Sequence, residues 1–353
     1  MRKMIQTAVL TGLVLVLVTN QSFTCTSFAF IHKGYPIFGT NYDNNFAPGL
    51  IYVNKKGVQK SGWEQGTTGE TAVWTSEYGS VTFTCVGYQL AWAGMNEAGL
   101  VLSTMALGET QSPAPDKRPP LASPLWMQYA LDTCGTIEEV FDIDKQVRIQ
   151  DTVDHYLVCD RTGNCAAIEF LDGKMVVHTQ DTMPVNALAN APYSSCAEYW
   201  KRKGPLPKSS YDSRHRVGRA GRMMASFAGK SNKDAVDFAF KILSDVSPSN
   251  RETTRWSIVF DTGNNKIYYR SYANQKIRRI DLNRFDFSCG TPVKMLPVHN
   301  GFSGDVTDKF KDYSHERSLA FLVNAVKYHR PDFPEEQIAP LLQKIESFPC
   351  VKK

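Results

Sequence analysis

The residue with the greatest chemical reach in this chain is Cys25, because it stands where an export leader would be cut. Residues Met1-Arg2-Lys3-Met4 are basic, Thr7 to Val18 carry no charge and are largely apolar, and Thr19 to Thr24 are mostly polar. These are the three parts of a secretory signal, and the apolar run is shorter than the ~20 residues a membrane helix needs. A cut before Cys25 leaves one residue holding both a thiol and a free α-amine. The amine titrates near ~7.7 to 8.0 and the thiol near ~8.5, so the amine can take the proton of its own residue's nucleophile without a separate histidine. Ser22 and Thr24 are small but do not make the usual Ala-x-Ala site. The cut is therefore expected at Cys25 or a few residues earlier, with Phe23-Thr24 then removed by the protein itself. A lipoprotein site fits less well, since Ser22 is not Leu and Thr24 is neither Gly nor Ala, and a retained anchor helix is the remaining alternative. The expectation is an exported protein, periplasmic or extracellular, whose mature chain has no stable membrane insertion.

Little else in the sequence competes as a reactive centre. Seven further cysteines stand at 85, 134, 159, 165, 196, 289 and 350, an odd set that cannot all pair. Cys159 and Cys165 flank a turn-like Asp160-Arg161-Thr162-Gly163-Asn164, so a bridge is plausible there in an oxidising compartment. The seven histidines are scattered, with no Cys-x-x-Cys or His-Glu-x-x-His, so neither metal nor cofactor is implied. Loss of Arg2 and Lys3 with the leader lowers the formal charge from +5 to +3, too little to argue for nucleic acid. Arg214, Arg216, Arg219 and Arg222 form the densest basic run, and their spacing suits a solvated helix face.

The elements that must position Cys25 alternate between strand meanders and helices. Residues 25–31 and 35–42 read as a hairpin about His32-Lys33-Gly34, and Val81 to Leu107 as two strands around a Gly94 to Gly99 turn. Helices are expected from Ser123 to Cys134 and from Thr136 to Phe141, the second capped by Thr136 with Glu139 three residues on. Strands follow at 155–160, 164–170 and 174–178, helices near 213–228 and 231–244, a meander over 255–282 and a helical tail over 314–347. Strand pairs and helices in this order suit an α+β domain with sheet packed on sheet and helices outside. Three segments are expected: a leader over 1–24, one domain over 25–300, and a helical extension over 301–353 packed on that domain. Trp63, Trp74, Tyr88 and Trp92 fall together before the Gly94 turn and are read either as an apolar pocket or as core.

Cys25-Thr26-Ser27, followed by Gly39-Thr40-Asn41-Tyr42-Asp43, resembles the start of the choloylglycine hydrolases, the group of the bile salt hydrolases and penicillin V acylases. The likeness continues in order through Gly94-Met95-Asn96-Glu97-Ala98-Gly99-Leu100, the meander from His155 to Met175, Leu188-Ala189-Asn190-Ala191-Pro192 and Ser213-Arg214, and covers roughly residues 25–285. It implies the four-layer αββα sandwich of the N-terminal nucleophile hydrolases and cleavage of linear amides. It also implies roles. Cys25 attacks the carbonyl, Asp43 orients the Cys25 amine, and the Asn190 side-chain amide with the Ala106 backbone N–H holds the oxyanion. Arg214 favours the thiolate. Read without the resemblance, Asp43 caps a turn and Arg214 is one more arginine on a basic helix.

The sequence departs from the family pattern in three places. Thr40 replaces the arginine usual between Gly39 and Asn41, Ala106 replaces an Asn or Tyr and should leave the pocket more open, and only 23 residues separate Asn190 from Arg214. That stretch is about half as long as in bile salt hydrolases, so their tetramer is not carried over. The expected activity is hydrolysis of the linear amide of a small-molecule N-acyl compound through an acyl-enzyme. An acyltransferase using the same acyl-enzyme, or an inactive binding protein of the same fold, are the alternatives; a Cys–His protease lacks its motifs.

Overall fold

The computed structural model describes residues 24–62, 71–208, 210–248 and 254–351. The expected leader, but for Thr24, and Trp63 lie outside the described residues. Two sheets face each other. One has seven strands in the order Ala187–Leu188, Thr26–His32, Tyr35–Asp43, Thr254–Asp261, Lys266–Ser271, Asn274–Asp281 and Gly304–Asp305. The other has nine, and its centre runs through Asp154–Cys159, Val101–Ala106, Ala93–Asn96, Ser80–Thr84 and Leu50–Asn54.

Period-two alternation assigns each strand residue to one of three apolar layers. Phe38, Ile258 and Phe260 point between the sheets, where they meet Val101, Leu157, Val81 and Phe83 of the opposite sheet. Their strand neighbours Ile37 and Val259, with Phe28 and Phe30, point outward onto Ala235, Ala239 and Val217 of the helices Ser213–Ala225 and Asn232–Val246. Leu102, Tyr156 and Ile168 point outward on the far side onto Trp126, Leu131 and Val140 of Ser123–Thr133 and Ile137–Gln146. Helix, sheet, sheet, helix is the αββα sandwich. The first hairpin can lie flat because Gly39 faces Phe28: a Cβ there would sit 2.4 Å from the ring.

Local signals held well at the helix starts. Thr136 and Glu139 make the expected capping box, and Ser231 makes another with Asp234. The stretch Val81–Leu107 contains three strands rather than two, and Gly94 lies within the middle one. There a Cβ would press on Thr82 and Leu131 at 2.8 and 2.9 Å, so glycine serves the approach of the helix, while Gly99, at φ +90°, makes the turn. The helix Tyr193–Lys201 was not anticipated. The tail forms two helices, His315–His329 and Ile338–Glu346, whose Leu322, Val326, Leu341 and Ile345 join the layer around Trp126. Cys159 and Cys165 are bridged, and an unforeseen bridge from Cys289 to Cys350 ties the end of the chain down.

Candidate active site

Cys25, Asp43, Asn190 and Ala106 come together because four elements end at one edge of the sandwich. Cys25 immediately precedes the first strand, and Asp43 closes its hairpin partner. Asn190 follows the short strand Ala187–Leu188, which pairs with the first strand through Ser27 and Leu188. Ala106 ends a strand of the opposite sheet. Cys25 and Ala106 line a cleft of about 120 Å³, walled also by Tyr42, Leu90, Trp92, Asp154 and His329, among others; Asp43 and Asn190 stand behind it, the first bonded to Cys25 and the second to Ala106.

Cys25 is 2 % exposed, and its Sγ donates to the Asp43 carbonyl at 3.7 Å. Burial holds the thiol well above the ordinary thiol range and the Asp43 charge adds to this, whereas Arg216 opposes it. The Asp43 carboxylate accepts from Thr254 Oγ1 at 2.5 Å through Oδ1, while its buried Oδ2 has no partner. Burial pushes its carboxyl up to about 7, against the Thr254 bond and the Arg216 charge. Residue 24 is still joined to Cys25 in this structure. A free Cys25 amine would supply the donor that Oδ2 lacks.

Asn190 Nδ2 donates to the Ala106 carbonyl at 2.9 Å. An amide nitrogen has a second N–H to offer. In a strand the N–H and C=O of one residue leave along the same edge, so the Ala106 N–H lies beside the Asn190 amide. Two neutral donors thus share one small region next to the thiol. The loop carrying Asn190 is held by a buried clamp: His155 bonds Glu169 Oε1 at 2.9 Å through Nδ1 and the Ala189 carbonyl at 2.5 Å through Nε2. The two bonds fix the ring between the Glu169 carboxylate and the Ala189 carbonyl, and so hold the backbone just before Asn190. Glu169 also accepts from the Tyr193 N–H at 2.9 Å. Burial would raise the Glu169 carboxyl, but its bonds with His155 and His178 outweigh that and hold it at about 2.

The expected arginine is displaced by two positions. Arg214 is exposed and its guanidinium pairs with Asp212 at 2.5 Å, with no contact to Cys25. Arg216, 1 % exposed, occupies the place beside the nucleophile. Its Nη1 donates to the carbonyls of Thr24 and Cys25, the latter at 2.6 Å, and to Thr26 Oγ1 at 2.6 Å. Its Nη2 reaches Asn190 Oδ1 at 3.2 Å and Ser213 Oγ at 3.1 Å, and its Nε reaches the Tyr211 carbonyl at 3.0 Å. The basic run is therefore not one solvated face, since Arg219 is buried too and pairs with Asp245 at 3.1 Å. Helical spacing held the signal: with Asp212 as N-cap, residues 216, 217 and 220 share the inward face, and 214 lies about 200° round from 216.

Thr40, in place of the family arginine, is fully buried, and its hydroxyl meets Ser27 Oγ at 2.8 Å, which in turn meets Ser103 Oγ at 2.7 Å. A chain of neutral hydroxyls thus spans the two sheets, leaving Arg216 as the cation at Cys25. Of the aromatic residues expected to cluster, Trp92 lines the cleft. Trp74 instead donates to Asp132 at 2.8 Å and packs on Tyr129, and Tyr88 packs against Tyr52 and Tyr313. Tyr42, which stacks on Trp256 at 4.1 Å, supplies the second aromatic wall. Sequence reasoning also missed Thr254, Asp154 and His329, each brought to the site from a distant segment. Among the described residues, no group of three or more His, Cys, Asp or Glu is placed to hold a metal ion.

Residues 69–276, more than half of the chain, match the acyl-coenzyme A:6-aminopenicillanic acid acyl-transferase family. The chain is 26 % identical to the penicillin V acylase of Pectobacterium atrosepticum over 346 residues, covering 82 % of this chain and 90 % of that protein. Its fold superposes on a penicillin V acylase from Agrobacterium tumefaciens with TM-score 0.71 and 26 % identity, covering 82 % of this chain and 98 % of the other. A conjugated bile acid hydrolase from Clostridium perfringens shares the fold at TM-score 0.63 and 17 % identity, over 79 % of this chain and 98 % of the other.

Proposed function

From the premise that this chain belongs to the choloylglycine hydrolase and penicillin V acylase family and is a linear-amide amidohydrolase, we propose that it is an exported cysteine acylase of small N-acyl compounds, working through a thioester on Cys25. The observation that carries the reading is that Cys25, its buried thiol at the mouth of a cleft, is joined through hydrogen bonds to Asp43 and to the Arg216 guanidinium, which in turn bonds Asn190, itself bonded to Ala106. Two disulfides support an oxidising compartment. The Arg216 bond to the Thr24 carbonyl supports removal of the preceding residues at this site, because the guanidinium already grips the peptide that must break.

Removal of residue 24 turns an amide nitrogen into an amine beside Asp43. That amine takes the Sγ proton as sulfur attacks the substrate carbonyl, while the Asn190 and Ala106 donors stabilise the oxyanion. Collapse breaks the C–N bond, and the amine passes its proton to the leaving nitrogen. Water then attacks the thioester, giving the carboxylic acid and restoring the thiol. Charge develops on the oxyanion rather than on the ground-state carbonyl, so preorganised donors accelerate the step itself. The 6-aminopenicillanic acid acyl-transferase match favours one second reading, in which an amine replaces water at the thioester.

The test is N-terminal sequencing of the secreted protein, followed by a panel that includes penicillin V and other N-acyl amides, with and without 6-aminopenicillanic acid as acceptor. The expected result is a chain starting at Cys25, an acyl adduct on that residue by mass, and free acid as product. Activity retained by Cys25→Ala would sink the mechanism, and acylated acceptor in place of acid would select the transferase. No turnover of any amide would favour a binding protein.

A further inference from the structure

The cleft is apolar on most sides, with Val86, Leu90, Trp92 and Pro124 among its walls, yet one wall is charged. Asp154 opens the strand Asp154–Cys159, is paired directly opposite Ala106, and lines the cleft together with Thr104. Paired residues of adjacent antiparallel strands present their side chains on one face with Cβ atoms roughly 5 Å apart, and residues two apart on one strand share that face. Thr104, Ala106 and Asp154 therefore form one patch. The methyl of Ala106 covers little of it.

Among the described residues no cation pairs with this carboxylate; its close partner is the Thr104 hydroxyl. His155 is its chain neighbour, so it points to the opposite face of the sheet, where it is committed to Glu169 and the Ala189 carbonyl. Asp154 enters no ion pair among the described residues. Burial raises its carboxyl to about 6, with His155 and a bond from the Thr104 hydroxyl opposing, so the charge persists at neutral pH but lacks the full solvation of a surface acid. A half-buried charge with no ion-pair partner is costly, and an incoming cation would recover part of that cost. The patch also adjoins Ala106, whose N–H faces the scissile carbonyl in the proposed mechanism.

We propose that Asp154 and Thr104, left uncovered by Ala106, form a specificity subsite for an ammonium group carried by the substrate close to its scissile amide. The preferred substrates are then N-acyl compounds that combine an apolar group, seated among Leu90, Trp92 and Pro124, with a protonated amine. The inference rests on the acylase reading and deepens it by naming the substrate class.

The test uses two matched pairs of amides. One pair, phenylacetyl and phenylglycyl amides of the same leaving amine, adds an amino group to the acyl half. The other pair adds it to the leaving half. The ratio of kcat/KM within each pair is compared in the mature wild type, Asp154→Asn, Asp154→Leu and Thr104→Val, all carried only if their circular dichroism matches wild type. Wild type should favour the amine-bearing member of at least one pair, and both Asp154 variants should lower that ratio by about 10- to 100-fold, the worth of one charge-assisted hydrogen bond. A ratio that stays within about twofold of wild type in both pairs overturns the subsite. Should Asp154 variants not fold, Thr104→Val decides by the same ratio, with a smaller expected drop. If wild type turns over none of the four amides, the acylase reading fails instead, and calorimetry on Cys25→Ser reports the subsite separately: amine-dependent binding sustains it, and equal binding of both members overturns it.

Discussion

Replacing Arg216 by glutamine separates the structure's arrangement of the site from the one the sequence motif suggests. The guanidinium makes six hydrogen bonds from a position 1 % exposed, three of them to Thr24, Cys25 and Thr26 around the nucleophile. Glutamine is shorter, carries no charge and offers two donors rather than five. The change leaves several buried acceptors unpaired and removes the cation that balances Asp43, a class of loss that costs about 3–5 kcal/mol of stability. It also removes the guanidinium charge that favours the Cys25 thiolate. Opposite charges near a thiol shift it by about one to three units, so the thiolate fraction should fall by about 10- to 1000-fold. The assay is the rate of Cys25 alkylation by iodoacetamide between pH 6 and 10 in the mature protein, beside denaturant melts and kcat/KM. Arg214→Ala is the matched control. Its guanidinium is exposed and bonded to Asp212, so it should cost well under about 1 kcal/mol and leave alkylation within about twofold of wild type. Equal effects from the two substitutions, or no slowing in Arg216→Gln, would refute the assignment of Arg216 as the cation at the nucleophile.

Three further outcomes follow from the same physics. In the uncut chain Asp43 titrates at about 7 when folded and near ~3.9 when unfolded, so the folded state binds more protons between those values. Stability contributed by this group is therefore lost as pH rises from about 4 to 7, by about 4 kcal/mol in total. Asp154, raised to about 6, acts in the same direction, and denaturant melts of Cys25→Ala protein at pH 4.5, 6 and 7.5 should show a shallower slope for Asp43→Asn. Glu169→Gln removes the buried carboxylate that accepts from His155 and the Tyr193 N–H and should destabilise the protein by about 1–3 kcal/mol, with the remaining folded enzyme losing kcat more than KM as Asn190 is released; unchanged kcat would deny the clamp a positioning role. The Cys289–Cys350 bridge closes a separation of 61 residues, so Cys350→Ser should cost about 4 kcal/mol by loop entropy, and thiol titration of the denatured, unreduced wild-type chain should count four free cysteines.

How much of this was legible beforehand varied with the range of the interaction. The hairpin from Cys25 to Asp43, the capped helices at Thr136 and Ser231 and the Cys159–Cys165 turn are local, set by alternation, capping chemistry and short loops. The three layers follow from those alternations, since an inward Phe38 requires an outward Ile37. Arg216 was obscured because four arginines in nine residues look alike until one knows which side of their helix faces the sheet. Asp154 was obscured because its meaning depends on a cross-strand partner, Ala106, 48 positions away. Trp74 and Tyr88 were close to Trp92 in sequence but were drawn into other layers.

By itself, then, the sequence determined that Cys25 could act as nucleophile and base together if freed at its N-terminus, and that the chain would form an α+β sandwich; it pointed to Asp43 and Asn190 through the family resemblance. The first two rest on residue chemistry and on periodicities a few residues long. Tertiary structure alone decided which arginine faces the thiol, which acid lines the cleft and which histidine clamps the Asn190 loop. Those outcomes depend on desolvation and on hydrogen-bond partners supplied by distant strands, and neither exists until the two sheets have packed.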